Sequence, residues 1–316
     1  MEFAQFCSTS RVLIVAGKGG VGKTTVTASV ATIAARAGMS VLIVEVEGKS
    51  GLSAAFGQPN LGYEETQLAP RVRARTLTPD QALVDYLESH GLRRISKRLS
   101  STGTLDVIAT AVPGMKDILV LGKVKSLEQD RAADLILVDA PAAGHAISFL
   151  LSPSGLLDAV SVGPIRKQAA DVTELLADPR RCQVLLVTIP EETPVNELVD
   201  TAFAIEDRVG ISLAPVVMNA CYPQLDLETD VDKVLADADA AGVFVSHREA
   251  GHLSDAARFR TERQQIQAAQ IERLSAALPL PQIRLPFLFS TDLGPTQIDL
   301  LADAMSDRIE SIDAPA

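Results

Sequence analysis

Gly17-Lys18-Gly19-Gly20-Val21-Gly22-Lys23-Thr24-Thr25 is the stretch whose reading decides the fold. It satisfies the pattern G-x-x-x-x-G-K-[ST], and its surroundings are the ones that pattern needs. The apolar run Arg11–Ala16 precedes it, and a stretch with helical spacing, Thr24–Ala37, follows. Glycines here let backbone N–H groups turn toward a polyphosphate without Cβ clashes. The helix N-terminus adds its partial positive charge. In this reading Gly19, Gly20, Val21, Gly22 and Thr25 belong to the cradle, Lys23 reaches the β- and γ-phosphates, and the Thr24 hydroxyl ligates Mg²⁺. Lys18 is one lysine more than phosphate binding requires. It is either a solvated loop residue or the mark of a deviant form of the loop.

Outward from this loop, apolar strand-like runs recur at Val41–Val46, Leu105–Ala109, Asp134–Asp139, Cys182–Ile189, Leu213–Met218 and Gln282–Leu285. Stretches with helical spacing lie between most of them, among them Pro194–Val209 and Leu253–Leu278. Strands alternating with helices predict an α/β fold with a mainly parallel, doubly wound sheet covered on both faces. Ligands of such sheets sit at the carboxyl ends of the strands. There the sequence places Gly17–Thr25, Glu47–Gly57 and Asp139–His145. The segment 59–129 is long for one crossover, and Pro79–His90 reads as a helix opened by a proline. We expect one domain over residues 1–316, with 59–129 forming a small helical subdomain above the nucleotide side.

Bulk properties narrow the function. The 316 residues are 47% hydrophobic but only 4% aromatic, without Trp, which suits a core of Ala, Val, Leu and Ile in a buried parallel sheet. A net charge of −11 gives no general attraction to nucleic acid or anionic membrane. Between Arg71 and Arg131, however, eleven Lys/Arg face seven Asp/Glu. That segment is either a solvated helical surface or a site for an anionic partner. Cys7, Cys182 and Cys221 are far apart and form no C-x-x-C, so a disulfide scaffold, a zinc site and an iron–sulfur site lack support. Met1–Ser10 lacks the basic and apolar regions of a signal peptide, and no apolar run approaches the ~18 residues of a membrane span. The periodic tail Thr296–Ile312 is acidic, the opposite of a basic membrane anchor. The expected location is the cytoplasm.

Two more loops carry chemistry. Glu45 and Glu47 stand at i and i+2, hence on one face if the strand runs that far. They are either a solvent-facing acid pair or carboxylates that polarise the attacking water or hold a water of the Mg²⁺ shell. Leu135-Ile-Leu-Val-Asp139 has the shape of a strand whose Asp orients Mg²⁺ through water. Behind it, Ala140-Pro141-Ala142-Ala143-Gly144-His145 reads as a loop in which Gly144 presents its N–H to the γ-phosphate and loses that contact on hydrolysis.

Together these residues resemble the bacterial branch of the deviant P-loop ATPases that include the arsenite-pump ATPase and the ATPase targeting tail-anchored proteins. The resemblance runs over nearly the whole chain. It rests on Gly17–Thr25 and on Asp139–His145, which that family writes D-T-A-P-T-G-H. Pro113-Gly114-Met115, Ile189-Pro190-Glu191, Val217-Met218-Asn219 and Leu285-Pro286-Phe287 continue it. The resemblance implies that Lys18 reaches the nucleotide of a facing subunit. It also implies that Asn219 binds the adenine edge, with Pro286 and Phe287 flanking the base; a lone Asn after a strand is otherwise a turn residue.

Three departures bear on activity. The family's D-P-A-H/S-N-L-S-D-A-F becomes Glu47-Gly48-Lys49-Ser50-Gly51-Leu52-Ser53-Ala54-Ala55-Phe56, so the catalytic Asp position is Glu47. A carboxylate displaced by about 1 Å can cost roughly 10²-fold in rate, so slow hydrolysis is expected. The zinc-binding C-x-x-C that joins two subunits of the targeting ATPase is missing, as are the clustered cysteines of metalloid pumps. The 59–129 segment is short beside the targeting ATPase's client-binding helices. The leading expectation is a dimeric ATPase using ATP and Mg²⁺ to couple its nucleotide state to an unidentified protein client, with Lys18, Glu47 and Asp139 in catalysis. One alternative is a weakly hydrolysing regulatory subunit paired with a related ATPase. The other is a positioning ATPase of the ParA/MinD kind, which writes Asp-x-Asp where this chain has Glu45-Val-Glu47.

Overall fold

A computed structural model describes residues 10–46, 51–89, 91 and 114–311 of the chain. Cys7, Glu47, Pro113 and the strand-like run Leu105–Ala109 lie outside the described residues. In chain order the strands are β1 (Val12–Gly17), β2 (Val41–Val46), β3 (Thr66–Ala69), β4 (Val72–Leu77), β5 (Leu135–Ala142), β6 (Cys182–Thr188), β7 (Val216–Cys221) and β8 (Gln282–Pro286). The helices are α1 (Lys23–Arg36), α2 (Gly51–Ala55), α3 (Pro79–Ser89), α4 (Met115–Gln129), α5 (Ala143–Ala159), α6 (Pro164–Ala177), α7 (Glu192–Val209), α8 (Val231–Ala240), α9 (His247–Ala277) and α10 (Pro295–Ser311).

β1 is buried along its whole length, because helices cover both of its faces. It pairs in parallel with β5 on one side and β6 on the other. The full order is β3-β4-β2-β5-β1-β6-β7-β8, parallel except for the antiparallel edge strand β3. This is the mainly parallel α/β sheet read from the sequence. Alternate residues of each central strand feed two separate cores. Val12, Ile14 and Ala16 pack with Ile118, Phe149, Val172 and Val195 of α4 to α7. Leu13 and Val15 pack with Val26, Val30, Leu301 and Met305 of α1 and α10. Among the described residues no helix is long and apolar enough to cross a membrane.

The segment 59–129 departs from the helical expectation. Its first part is a β-hairpin, β3 and β4, added to the edge of the main sheet through β2. Arg71-Val-Arg-Ala-Arg-Thr is a period-two pattern in which Val72, Ala74 and Thr76 are buried, and its arginines read as a charge run. Its last part, α4, buries Ile118, Leu119, Val120 and Leu121 in the body of the fold. Among the described residues, four of its basic side chains are paired within the fold. Arg73 and Arg75 pair with Glu65, Lys123 with Asp85 and Lys125 with Asp171. Arg75 also stacks on Tyr63, 4.4 Å from the ring centre.

The sheet places the phosphate loop through Gly17, in register with Ala142 of β5 and Val187 of β6. A Cβ on Gly17 would fall 2.2 Å from the Val187 carbonyl oxygen. Gly17→Ala therefore has to push β6 away from β1, and overpacking of this kind costs about 1–3 kcal/mol. Urea unfolding should show that loss as a lower midpoint at unchanged slope. Wild-type stability in Gly17→Ala would mean that the two strands are not this close.

Candidate functional site

Four strand ends build the site: β1 leads into the phosphate loop, β2 ends at Glu45 and Val46, β5 carries Asp139, and β7 carries Asn219. The loop itself turns through Gly20 at φ 86° and Gly22 at φ 92°, left-handed conformations open to glycine. Helix α1 then starts with Val26 N–H donating to the Gly22 carbonyl. Its first turn holds no acidic residue, leaving its N–H groups and positive dipole end to an anion.

Gly19, Gly20, Gly22, Lys23, Thr24, Glu45, Val46, Asp139 and Ala140 line one cavity of about 260 Å³. The Thr24 hydroxyl donates to Asp139 Oδ2 at 2.7 Å, so the two expected metal ligands meet across 115 positions of sequence. Glu45 stands in register with Asp139 on the neighbouring strand, and both carboxylates are buried, at 3% and 6% exposure. Adjacent strands lie ~4.8 Å apart, so the wall opposite the loop carries two acidic groups side by side. Thr76 of β4 donates to Glu45 Oε2 at 3.0 Å. Hydroxyl and carboxylate oxygens are the ligands a hard cation such as Mg²⁺ takes. The residues present therefore fit that ion.

The two lysines of the loop part company. Lys23 lines the cavity, and its Nζ donates to the Lys18 carbonyl oxygen at 3.1 Å. The Lys18 side chain instead leaves the loop and pairs with Glu197 of α7, Nζ to Oε1 2.6 Å. Nothing in the local sequence points to Glu197, which is 179 positions away.

Asn219 is tied to the loop, its Nδ2 donating to the Val21 carbonyl at 2.9 Å. A Cβ on Gly22 would come within 2.3 Å of that nitrogen, so the amide closes against bare backbone. One strand further, Cys221 stands in register with Pro286, and Phe287 N–H donates to the Cys221 carbonyl at 2.8 Å. Asn219, Pro286 and Phe287 thus share the carboxyl edge of β7 and β8. Phe287 is part of a group that the sequence reading missed. Its ring centre lies 5.2 Å from Tyr222 and 4.8 Å from Phe289, and the Arg260 guanidinium stacks 4.4 Å from Tyr222 and 4.8 Å from Phe289. The available signal was three rings near two strand ends in a chain only 4% aromatic.

Behind Asp139 the expected loop is shorter than the sequence suggested. β5 continues to Ala142 and α5 begins at Ala143, so Gly144 and His145 lie in the first turn of that helix. The N–H groups of a first turn have no intrahelical acceptor. A side chain on Gly144 would meet nothing within 4 Å, so its surroundings are open. The described cysteines stand at opposite ends of the sheet, Cys182 opening β6 and Cys221 closing β7. Burial pushes both thiols upward, Cys221 to about 11, and neither supplies a thiolate near neutrality.

Known proteins are similar to this chain in sequence. The profile of the anion-transporting ATPase family matches residues 10–163, from just before β1 to just past α5. ATPase BagA of Mycobacterium tuberculosis is 32% identical over 311 residues, spanning 90% of this chain and 89% of its own. A Halobacterium salinarum protein, whose name makes it an arsenical pump-driving ATPase, is 29% identical over 234 residues. That match spans 68% of this chain and 36% of its own. ATPase get3 of Schizosaccharomyces japonicus is 30% identical over 152 residues, 47% of this chain and 46% of its own. A phosphate loop on the central strand, a hydroxyl–carboxylate pair at its foot, the family profile and a relative matched over nine-tenths of this chain lead to one conclusion: this chain is an ATPase of the anion-transporting (ArsA) family.

Proposed function

We propose that this ATPase works as a Mg²⁺-dependent dimer whose nucleotide state governs its hold on a protein client. The observation that carries the proposal is the divergence of the two lysines. Lys23 faces the cavity of its own loop, whereas the Lys18 ammonium is absent from that cavity's lining and pairs with Glu197 on α7. A cation so placed is available to a nucleotide bound by a facing copy. Transition-state charge stabilisation by such an invading cation is worth roughly 10³–10⁵ in rate.

Within one subunit the backbone N–H groups of Gly19 to Thr25 and the N-terminus of α1 receive the triphosphate, and Lys23 neutralises its β and γ oxygens. Thr24 would hold Mg²⁺ directly and Asp139 through water. That ion, when bound, offsets negative charge on the β- and γ-phosphates. Glu47 takes the water-polarising role, and Glu45, fixed by Thr76, orients water from the cavity wall. Asn219 Nδ2 already donates to Val21, which leaves its Oδ1 and second hydrogen for the base edge. Pro286 and Phe287 flank the base, and Gly144 offers its N–H to the terminal phosphate from the first turn of α5. Separated thiols argue for a protein client over a metalloid. Pairing with an identical or a related ATPase subunit fits the same geometry. ArsA-family relatives that match this chain include proteins named for arsenical pumping and for get3.

Asp139 and the metal give the first test. Asp139→Asn should raise the Mg²⁺ concentration for half-maximal hydrolysis by about 10–100-fold, the usual cost of losing an outer-shell carboxylate. Nucleotide binding in EDTA should stay close to wild type. A Mg²⁺ titration that superimposes on wild type would remove Asp139 from the metal site.

The longer acid at position 47 gives the second. Glu47→Asp returns the carboxylate by one methylene, and kcat should rise by up to about 10²-fold if the extra length holds it off line. Glu45→Gln should lower kcat at unchanged ATP affinity. If Glu47→Asp and Glu47→Gln both leave turnover untouched while Glu45→Gln abolishes it, Glu45 is the water-polarising group and the assignment reverses.

A further inference from the structure

The contact between Lys18 and Glu197 is placed by the scaffold. Glu197 stands on the second turn of α7, one face of which is locked into the core by Val195, Leu198, Ala202 and Ile205. The start of α7 is tied down by Arg263 of α9, which reaches Glu191 at 3.1 Å. The strand before it, β6, touches β1 at Gly17 so closely that no side chain fits between them. Glu197 Oε1 therefore arrives 2.6 Å from Lys18 Nζ by way of β6 and α7. Both side chains keep about a third or more of their surface in water, 35% for Lys18 and 43% for Glu197. An ion pair so exposed adds little to stability, and its weakness makes it exchangeable.

We propose that Glu197 is the positioning residue of Lys18, holding its ammonium over α7 until a phosphate bound to a second copy of the chain competes for it. The inference rests on the paired-subunit reading above. Lys18 is restrained twice: Lys23 Nζ donates to its carbonyl oxygen at 3.1 Å, and Glu197 accepts from its side chain. A triphosphate in the home loop draws Lys23 toward the β and γ oxygens and frees the Lys18 main chain. A triphosphate in the facing loop offers multiply charged oxygens in place of the single carboxylate and frees the side chain. Each nucleotide thus releases one restraint, and the cation crosses only when both sites are filled.

The test compares full-length wild type, Glu197→Gln, Glu197→Asp and Glu192→Gln. Glu192→Gln removes the same charge from the exposed first turn of α7 without touching Lys18. Two quantities are read: the rate at which trace acetic anhydride labels Lys18 relative to other lysines, and the chain concentration at half-maximal activity with saturating ATP and Mg²⁺. In Glu197→Gln, labelling should rise and the half-activating concentration should fall, each roughly two- to five-fold, the range of an exposed ion pair. Glu197→Asp should move back toward wild type, and Glu192→Gln should move neither quantity. Unchanged labelling in Glu197→Gln would overturn the restraint itself. Equal shifts in Glu192→Gln and Glu197→Gln would overturn it in favour of bulk charge. Faster labelling together with wild-type activity that ignores chain concentration would overturn the paired-subunit reading and the crossing with it, leaving only the restraint.

Discussion

Gly17 meets the Val187 carbonyl with no room for a Cβ, and this closeness fixes where the phosphate loop leaves the sheet. β1 lies between β5 and β6, so whatever follows β5 and β6 must border the loop that follows β1. On the β5 side this brings Asp139, and beyond it Glu45, to the foot of the loop. On the β6 side it brings α7 and Glu197 to its rim. The two sides have opposite demands. On one side two buried carboxylates line the cavity, and on the other the half-exposed Glu197 carboxylate holds the Lys18 ammonium.

The same arrangement explains the division of labour between lysines five positions apart. Lys23 begins α1 and lines the cavity, and the two residues before it, Val21 and Gly22, are clasped by Asn219 from β7. Lys18 precedes the left-handed turns at Gly20 and Gly22 and projects before the loop closes. Its ammonium pairs with Glu197 of α7 and is not among the groups that line the cavity. Asn219 thereby ties the carboxyl edge of β7 to the phosphate loop through one side-chain amide.

How much of this was legible follows from how local each signal is. The phosphate loop, Asp139 and the parallel sheet were readable because each announces itself within about ten residues, through glycine spacing, an apolar run ending in Asp, and strand–helix alternation. β4 was not read, since arginines on alternate positions hid a period-two strand whose inward residues are as small as Ala74 and Thr76. With it went Thr76, the partner of Glu45. Glu197 and Arg260 had no local signal at all; the sheet order and the length of α9 bring them to the site. The extent of β5 was underestimated because Ala140-Pro141-Ala142 resembles a loop in composition. Glu47, which stands where the family writes Asp, lies outside the described residues.

The central claim is that a lysine from one subunit completes the site of another. Mixing a Lys18→Ala chain with an Asp139→Asn chain tests it most directly. In a mixed dimer the Lys18→Ala subunit keeps Asp139 and Thr24, and it receives an intact Lys18 from its neighbour. One of the two sites is then complete, and at a Mg²⁺ concentration that supports wild type but not Asp139→Asn, random exchange of subunits should restore roughly a quarter of wild-type hydrolysis from two nearly inactive parents. Mixed dimers that demonstrably form, yet hydrolyse no more ATP than the parents do separately, would contradict the account and return Lys18 to its own subunit.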